Sequence, residues 1–173
     1  MGTRKSMRLP VILAFIIIGV IVYLFATIKQ TEVKCEKVTT FDSNIYLKEE
    51  ITSIMGNQRI NSLNVKKTII LPEKYTKDET YLYKIKEELN RTLEYLGDKV
   101  TYKISNDRII VEINVHKNEV VLLDNISFDI TNDLKILINS NTKSSKVITL
   151  KVGDNYTDGE FMKRLKKKDY NCK

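Results

Sequence analysis

The stretch IYLKEEITSIMGNQRINSLNVKKTIIL, residues 45–71, decides the fold. Ile45, Leu47 and Ile51 share one parity, and Lys48, Glu50 and Thr52 share the other. This is the two-residue period of a half-buried strand, and it predicts one over 45–54. Glu49 interrupts the apolar side. Gly56-Asn57-Gln58 reads as a turn, and Arg59 to Leu71 returns as a strand, with Leu63, Val65 and a dense Thr68-Ile69-Ile70-Leu71 end. Lys34 to Thr40 extends ahead of them, so the three segments make an antiparallel meander.

Downstream, Pro72 ends the strand. Thr76 and Glu79 have capping-box spacing, and Leu82, Ile85, Leu89, Leu93 and Leu96 recur at helical spacing before Gly97. The pattern predicts a helix over 77–96 with its apolar stripe on the sheet. Val100, Tyr102 and Ile104 alternate, as do Ile109, Val111, Ile113 and Val115. Asn106-Asp107 turns the chain between them into a hairpin. Residues 120–123 are too short to assign. Ile126, Phe128 and Ile130 alternate, the period of 134–138 is ambiguous, and 139–145 reads as a polar loop. A last strand is expected over 147–152. Thr157 and Glu160 repeat the capping-box spacing and open a short helix over 158–168, with Phe161, Met162 and Leu165 inward. The expected class is α+β, an antiparallel sheet packed with one long and one short helix.

Upstream, the twenty residues Leu9 to Ile28 carry no charge. As a helix they span about 30 Å, the thickness of a bilayer's hydrocarbon core. The run is too long for a cleaved signal peptide, and Ala26 has no small partner two residues away. Cys35 follows Glu32, Val33 and Lys34, which is not the setting of a lipid-modified cysteine. The expected plan is a basic cytoplasmic tail (1–8), a transmembrane signal-anchor helix (9–28) and one extracytoplasmic domain (29–173), with the lipid bilayer as a partner. Arg4, Lys5 and Arg8 precede the helix and Lys29, Lys34 and Lys37 follow it, so the positive-inside count is nearly even. The short, acid-free tail places the N-terminus in the cytoplasm, giving a single-pass protein of the plasma membrane.

Hydrophobic residues make up 42% of the 173 and charged residues 29%, so the part after the anchor has enough for one core. The net charge is +7; Arg4, Lys5 and Arg8 supply three of these, leaving +4 for the rest. That balance suits anionic surroundings and is too small to argue for nucleic acid. Isoleucine, lysine and asparagine are abundant and tryptophan is absent, a bias that fits a low-GC bacterium. Cys35 and Cys172 stand near the two ends of the domain, which suggests a single staple in an oxidising compartment; the alternative is two unrelated thiols.

No enzyme is expected. His116 is the only histidine, at a strand end, and neither a nucleophilic nor a metal site can be built around it alone. The adjacent acids Glu49 and Glu50, and Glu87 and Glu88, supply pairs of carboxylates, but a glycosidase needs two that flank one cleft. Glu87 and Glu88 diverge by about 100° on a helix. No catalytic, cofactor-binding or metal residue is assigned. Lys163, Arg164, Lys166, Lys167 and Lys168 crowd the end of the last helix. They complement its dipole and are also candidate contacts for a polyanion.

The segment Lys34-Cys35-Glu36-Lys37 and the segment Leu165 to Lys173, which ends Tyr170-Asn171-Cys172-Lys173, resemble the two ends of the YehR-like family of small Gram-positive envelope lipoproteins, over about residues 35–172. The resemblance implies an α+β domain outside the membrane, a disulfide from Cys35 to Cys172 and no established activity. The chain departs from that pattern in lacking a lipidation motif and in keeping a long apolar run. The function expected is a non-enzymatic binding or scaffold protein of the cell envelope, with another envelope protein as partner. The alternative is a module for an anionic wall polymer, peptidoglycan or teichoic acid. For that reading, Lys151-Val152-Gly153-Asp154 followed by Phe161 to Leu165 resembles the strand-then-helix of peptidoglycan-binding domains. A hydrolase would require a deep polar pocket with convergent carboxylates.

Overall fold

A computed structural model describes residues 8–27, 30–41, 45–94, 99–105, 107–122, 126–129, 135–138 and 148–173. The chain divides into two units, Met1–Gln30 and Thr31–Lys173. The first holds α1 (Arg8–Thr27), along which Leu13, Phe15, Ile16 and Tyr23 are exposed.

The transmembrane anchor expected over 9–28 is corrected here. Among the described residues, no helix is long and apolar enough to cross a membrane. The single-pass, plasma-membrane placement with a cytoplasmic N-terminus falls with the anchor. The fold class is corrected to match: the chain is mostly antiparallel sheet with three short helices beyond α1.

The second unit is built on a six-stranded sheet. Its long strands are β1 (Gln30–Phe41), β2 (Ile45–Gly56) and β3 (Arg59–Ile70). After α2 (Glu73–Thr76) and α3 (Glu79–Leu93) come β4 (Val100–Ser105) and β5 (Arg108–Val115). Two small two-stranded sheets follow, β6 (Val120–Leu122) with β9 (Thr149–Lys151) and β7 (Ile126–Asp129) with β8 (Lys135–Ile138). The chain closes with α4 (Asp158–Lys166) and β10 (Asn171–Cys172). The order in the large sheet is β10-β1-β2-β3-β5-β4.

The β2–β3 hairpin is set by its turn. Gly56 pairs with Arg59, leaving Asn57 and Gln58 as a two-residue loop with φ of 52° and 57°. Positive φ at both positions is the type I′ turn, whose twist matches the strands it joins. Further along, Ile54 pairs with Ser62 but Met55 with Ile60, so Asn61 is the extra residue of a bulge. The bulge shifts parity by one. This is why Ile60 and Leu63, three apart, are both buried.

The expected capping box at Thr76 and Glu79 gives way to a different cap. Thr76 lies in α2 and its hydroxyl donates to the Glu73 carbonyl. Asp78, in extended conformation, instead caps α3 by accepting from the Tyr81 amide at 3.0 Å. At α4 the box is present: the Thr157 hydroxyl accepts from the Glu160 amide, and the Glu160 carboxylate accepts from the Thr157 amide. Hydrogen bonds donated to that carboxylate by the Thr157 amide, foremost, and by the Thr157 hydroxyl hold the Glu160 pKa below its ordinary value. α4 ends in a Schellman turn, with Tyr170 N–H donating to Leu165 O, Asp169 N–H to Lys166 O, and Asp169 at φ 67°. That turn sends the chain directly into β10.

One face of the sheet is covered. Ile51, Val65, Ile69, Ile109 and Val111 share a core with Ile85 and Leu89 of α3 and Phe161 and Leu165 of α4. Expected residues in 95–98, 123–125, 130–134 and 139–147 lie outside the described residues, including the polar loop over 139–145.

Cys35 and Cys172 form a disulfide across β1 and β10. Lys34 and Lys173 exchange both main-chain bonds, at 3.1 and 2.8 Å. The adjacent Cys35–Cys172 pair is therefore the non-hydrogen-bonded kind, where facing side chains are closest. The bond closes a loop of sequence separation 137, for which chain entropy gives an upper figure of roughly 5 kcal/mol. Reduction, or Cys172→Ala, is expected to lower unfolding free energy by about 2–4 kcal/mol in urea titrations, with dithiothreitol having no effect on the variant. Gln58→Gly is expected to raise it by up to about 1 kcal/mol in the same assay, since glycine adopts positive φ without a Cβ clash.

Candidate binding surface

On the covered face, β2 and β3 bring Glu49 directly opposite Lys67. The ammonium and carboxylate are 2.8 Å apart, with Lys67 3% and Glu49 8% exposed. Leu47 and Ile51 flank Glu49, and Val65 and Ile69 flank Lys67, on the same face. Burial of either charge alone is costly, so each position depends on the other. The sequence shows Glu49 as a break in an apolar row. The matching signal is Lys67, the break in the row Leu63, Val65, Ile69.

The opposite face is open. Lys48 lies 2.9 Å from Glu50 and 3.4 Å from Glu36, and Lys66 lies 3.5 Å from Glu112. Asn64 donates to Asn114 at 2.7 Å. The hydrogen bond to Glu50 is the main reason that the Lys48 pKa stands above its ordinary value. Exposed pairs of this kind contribute little stability. Among these charges stand three exposed apolar side chains: Val38 at 59%, Tyr46 at 39% and Ile54 at 37%. At the β10 end of this face, a cavity of about 190 Å³ is lined by Lys34, Glu36, Glu50, Thr52, Asn171 and Lys173, among others.

The residues singled out in the sequence do not gather into one centre. His116 is exposed just after β5, and its amide donates to the Glu119 carboxylate at 3.0 Å. Glu119 also takes a hydrogen bond from Lys99, the main reason that its pKa is lowered. Among the described residues no group of histidine, cysteine and acids could hold a metal. Glu49 and Glu50 point to opposite faces of β2. On α3, Glu87 accepts from the Tyr83 hydroxyl and Glu88 pairs with Arg91. Glu87 and Glu88 line a shallow hollow with Lys84, Asn90 and Arg91, all of one helix. That arrangement supplies no opposed pair of carboxylates.

The basic run at α4 is divided. Lys163, Lys166 and Lys167 are exposed, whereas Arg164 and Lys168 are half-buried. The Arg164 guanidinium sits 5.6 Å from the centre of the Tyr156 ring and donates to its hydroxyl. Lys37, on β1, lies 5.8 Å from the Tyr170 ring.

Comparison with protein-family models, curated proteins and solved structures finds no match.

Removing one member of the buried pair is expected to be severe. Glu49→Ala or Lys67→Ala should each cost about 3–5 kcal/mol in urea unfolding, while the double change Glu49→Leu with Lys67→Met should recover most of that loss.

Proposed function

We propose that the second unit is a non-enzymatic binding or scaffold domain whose contact surface is the open face of the six-stranded sheet. The supporting observation is the placement of Tyr46 and Ile54, exposed near the two ends of β2, with Lys48 and Glu50 between them. An exposed aromatic among paired charges matches the makeup of transient protein interfaces, in which aromatic anchors carry most of the binding energy. Ion pairs already formed on that face set orientation and partner choice more than affinity. The disulfide suits an oxidising setting, where such bonds persist. The likeness of the two cysteine-bearing ends to YehR-like envelope proteins points to the same setting.

A second reading rests on a different observation. Lys163, Lys166 and Lys167 are exposed on α4, a cationic surface that an anionic wall polymer would fit.

One experiment separates the two. The protein, a Tyr46→Ser/Ile54→Thr variant and a Lys163→Glu/Lys166→Glu/Lys167→Glu variant are each tested for retention on isolated bacterial cell wall and on immobilised envelope proteins, with thermal melts as the folding check. The sheet-face reading expects protein capture to fall at least about tenfold with the first variant and to stay unchanged with the second. Wall retention lost only in the second variant establishes the polymer reading instead. Capture indifferent to Tyr46 and Ile54 removes the sheet-face reading.

A further inference from the structure

β1 is twelve residues long, yet β10 pairs with it in register only at Cys35 and Glu36, beside the Lys34–Lys173 bonds. Those reciprocal bonds fix the direction of every main-chain group along β1. Lys34 points its N–H and C=O outward to β10, so by strand alternation Glu36, Val38 and Thr40 do the same. Among the described residues no strand pairs with β1 on that side beyond Glu36. The segment Val38-Thr39-Thr40-Phe41 contains no charge, proline or glycine. Natural sheets blunt such edges with charges, proline or a covering element. The part of β1 up to Lys37 has charges and β10; among the described residues, Val38–Phe41 has neither a charge nor a paired strand on that side.

We propose that this last stretch of β1, Val38–Phe41, pairs, antiparallel and centred on Thr39, with the same segment of a second copy of the chain. Self-pairing satisfies the geometry. With Thr39 on the two-fold axis, Val38 of one copy faces Thr40 of the other, and both are outward-pointing residues, so each such pair exchanges both of its main-chain bonds. Lys37, already beside the Tyr170 ring, marks the limit of the pairing toward β10, and within Val38–Thr40 no charges are opposed. A pairing shifted by one residue would set outward groups against inward ones. Val38 and Thr40 lie on the open face, so the open faces of the two copies become continuous. The contact is short, and the dimer belongs at the weak end of the interface range. This assembly does not depend on what the open face binds.

The test is a cross-linking scan on the full chain. Both native cysteines are bonded to each other, so an added cysteine is the one free thiol among them. In the proposed register two Thr39→Cys residues face each other in a non-hydrogen-bonded pair with Cα atoms about 4.5 Å apart, inside disulfide range. Two Val38→Cys residues lie about 8 Å apart, outside it. Mild oxidation is expected to give at least about tenfold more covalent dimer from Thr39→Cys than from Val38→Cys. Adding Val38→Pro should abolish the Thr39→Cys product, because it removes an outward N–H that pairs with no strand among the described residues. If Val38→Pro fails to fold by circular dichroism, Val38→Lys/Thr40→Lys takes its place, setting like charges opposite each other at exposed positions. Equal yields at 38 and 39, or a Thr39→Cys product untouched by the edge variant, overturn the proposal.

Discussion

Glu49 and Lys67 meet between two long strands, on the face where their neighbours are isoleucine, leucine and valine. Neither charge can be left there without the other, so β2 and β3 are held to one alignment. A slip by one residue would carry Glu49 and Lys67 to the solvent face and their apolar neighbours out of the core. The type I′ turn at Asn57 and Gln58 sets the same alignment from the hairpin end, and the bulge at Asn61 adjusts it so that Ile60 still reaches the core. Local turn chemistry, main-chain pairing and a buried charge pair thus agree on one register, the consistency expected of a sequence that specifies one fold.

Once that register is set, the two faces have different work. The covered face takes α3 and α4 through Ile85, Leu89, Phe161 and Leu165. The other face keeps Lys48, Glu50, Lys66 and Glu112 in pairs beside Tyr46 and Ile54. An antiparallel sheet with one packed face and one wet face is the ordinary arrangement. The large exposed side chains standing among the ion pairs on the wet face make it a reading surface in the proposal above.

How far the sequence could be read follows from which interactions are local. Alternation is a local signal, so β2, β3, β4 and β5 could be placed from Ile45, Leu63, Tyr102 and Ile109 and their neighbours. The Thr157–Glu160 box is equally local and marked the start of α4. The cap of α3 was misplaced because Thr76–Glu79 and Asp78 compete within one turn, and a short helix, α2, took Thr76 first. The apolar run over 9–28 shows the limit of composition: twenty uncharged residues suggested a span, and no helix long and apolar enough to make one is found among the described residues. Lys67 shows in the sequence as a second break in an apolar row, but its pairing with Glu49, eighteen positions away, depends on register. The order of the sheet was equally hidden, since β10 joins β1 across nearly the whole domain.

That late closure has a consequence during synthesis. The strand that receives β10 is made first, and its clasp arrives 137 residues later. At a ribosomal pace of 5–20 residues per second, the nascent chain carries the whole outer border of β1 uncapped for about 7 to 27 s. Over that interval neighbouring polypeptides on the same message hold their sticky borders close together, and restraint by a holding chaperone would matter most there.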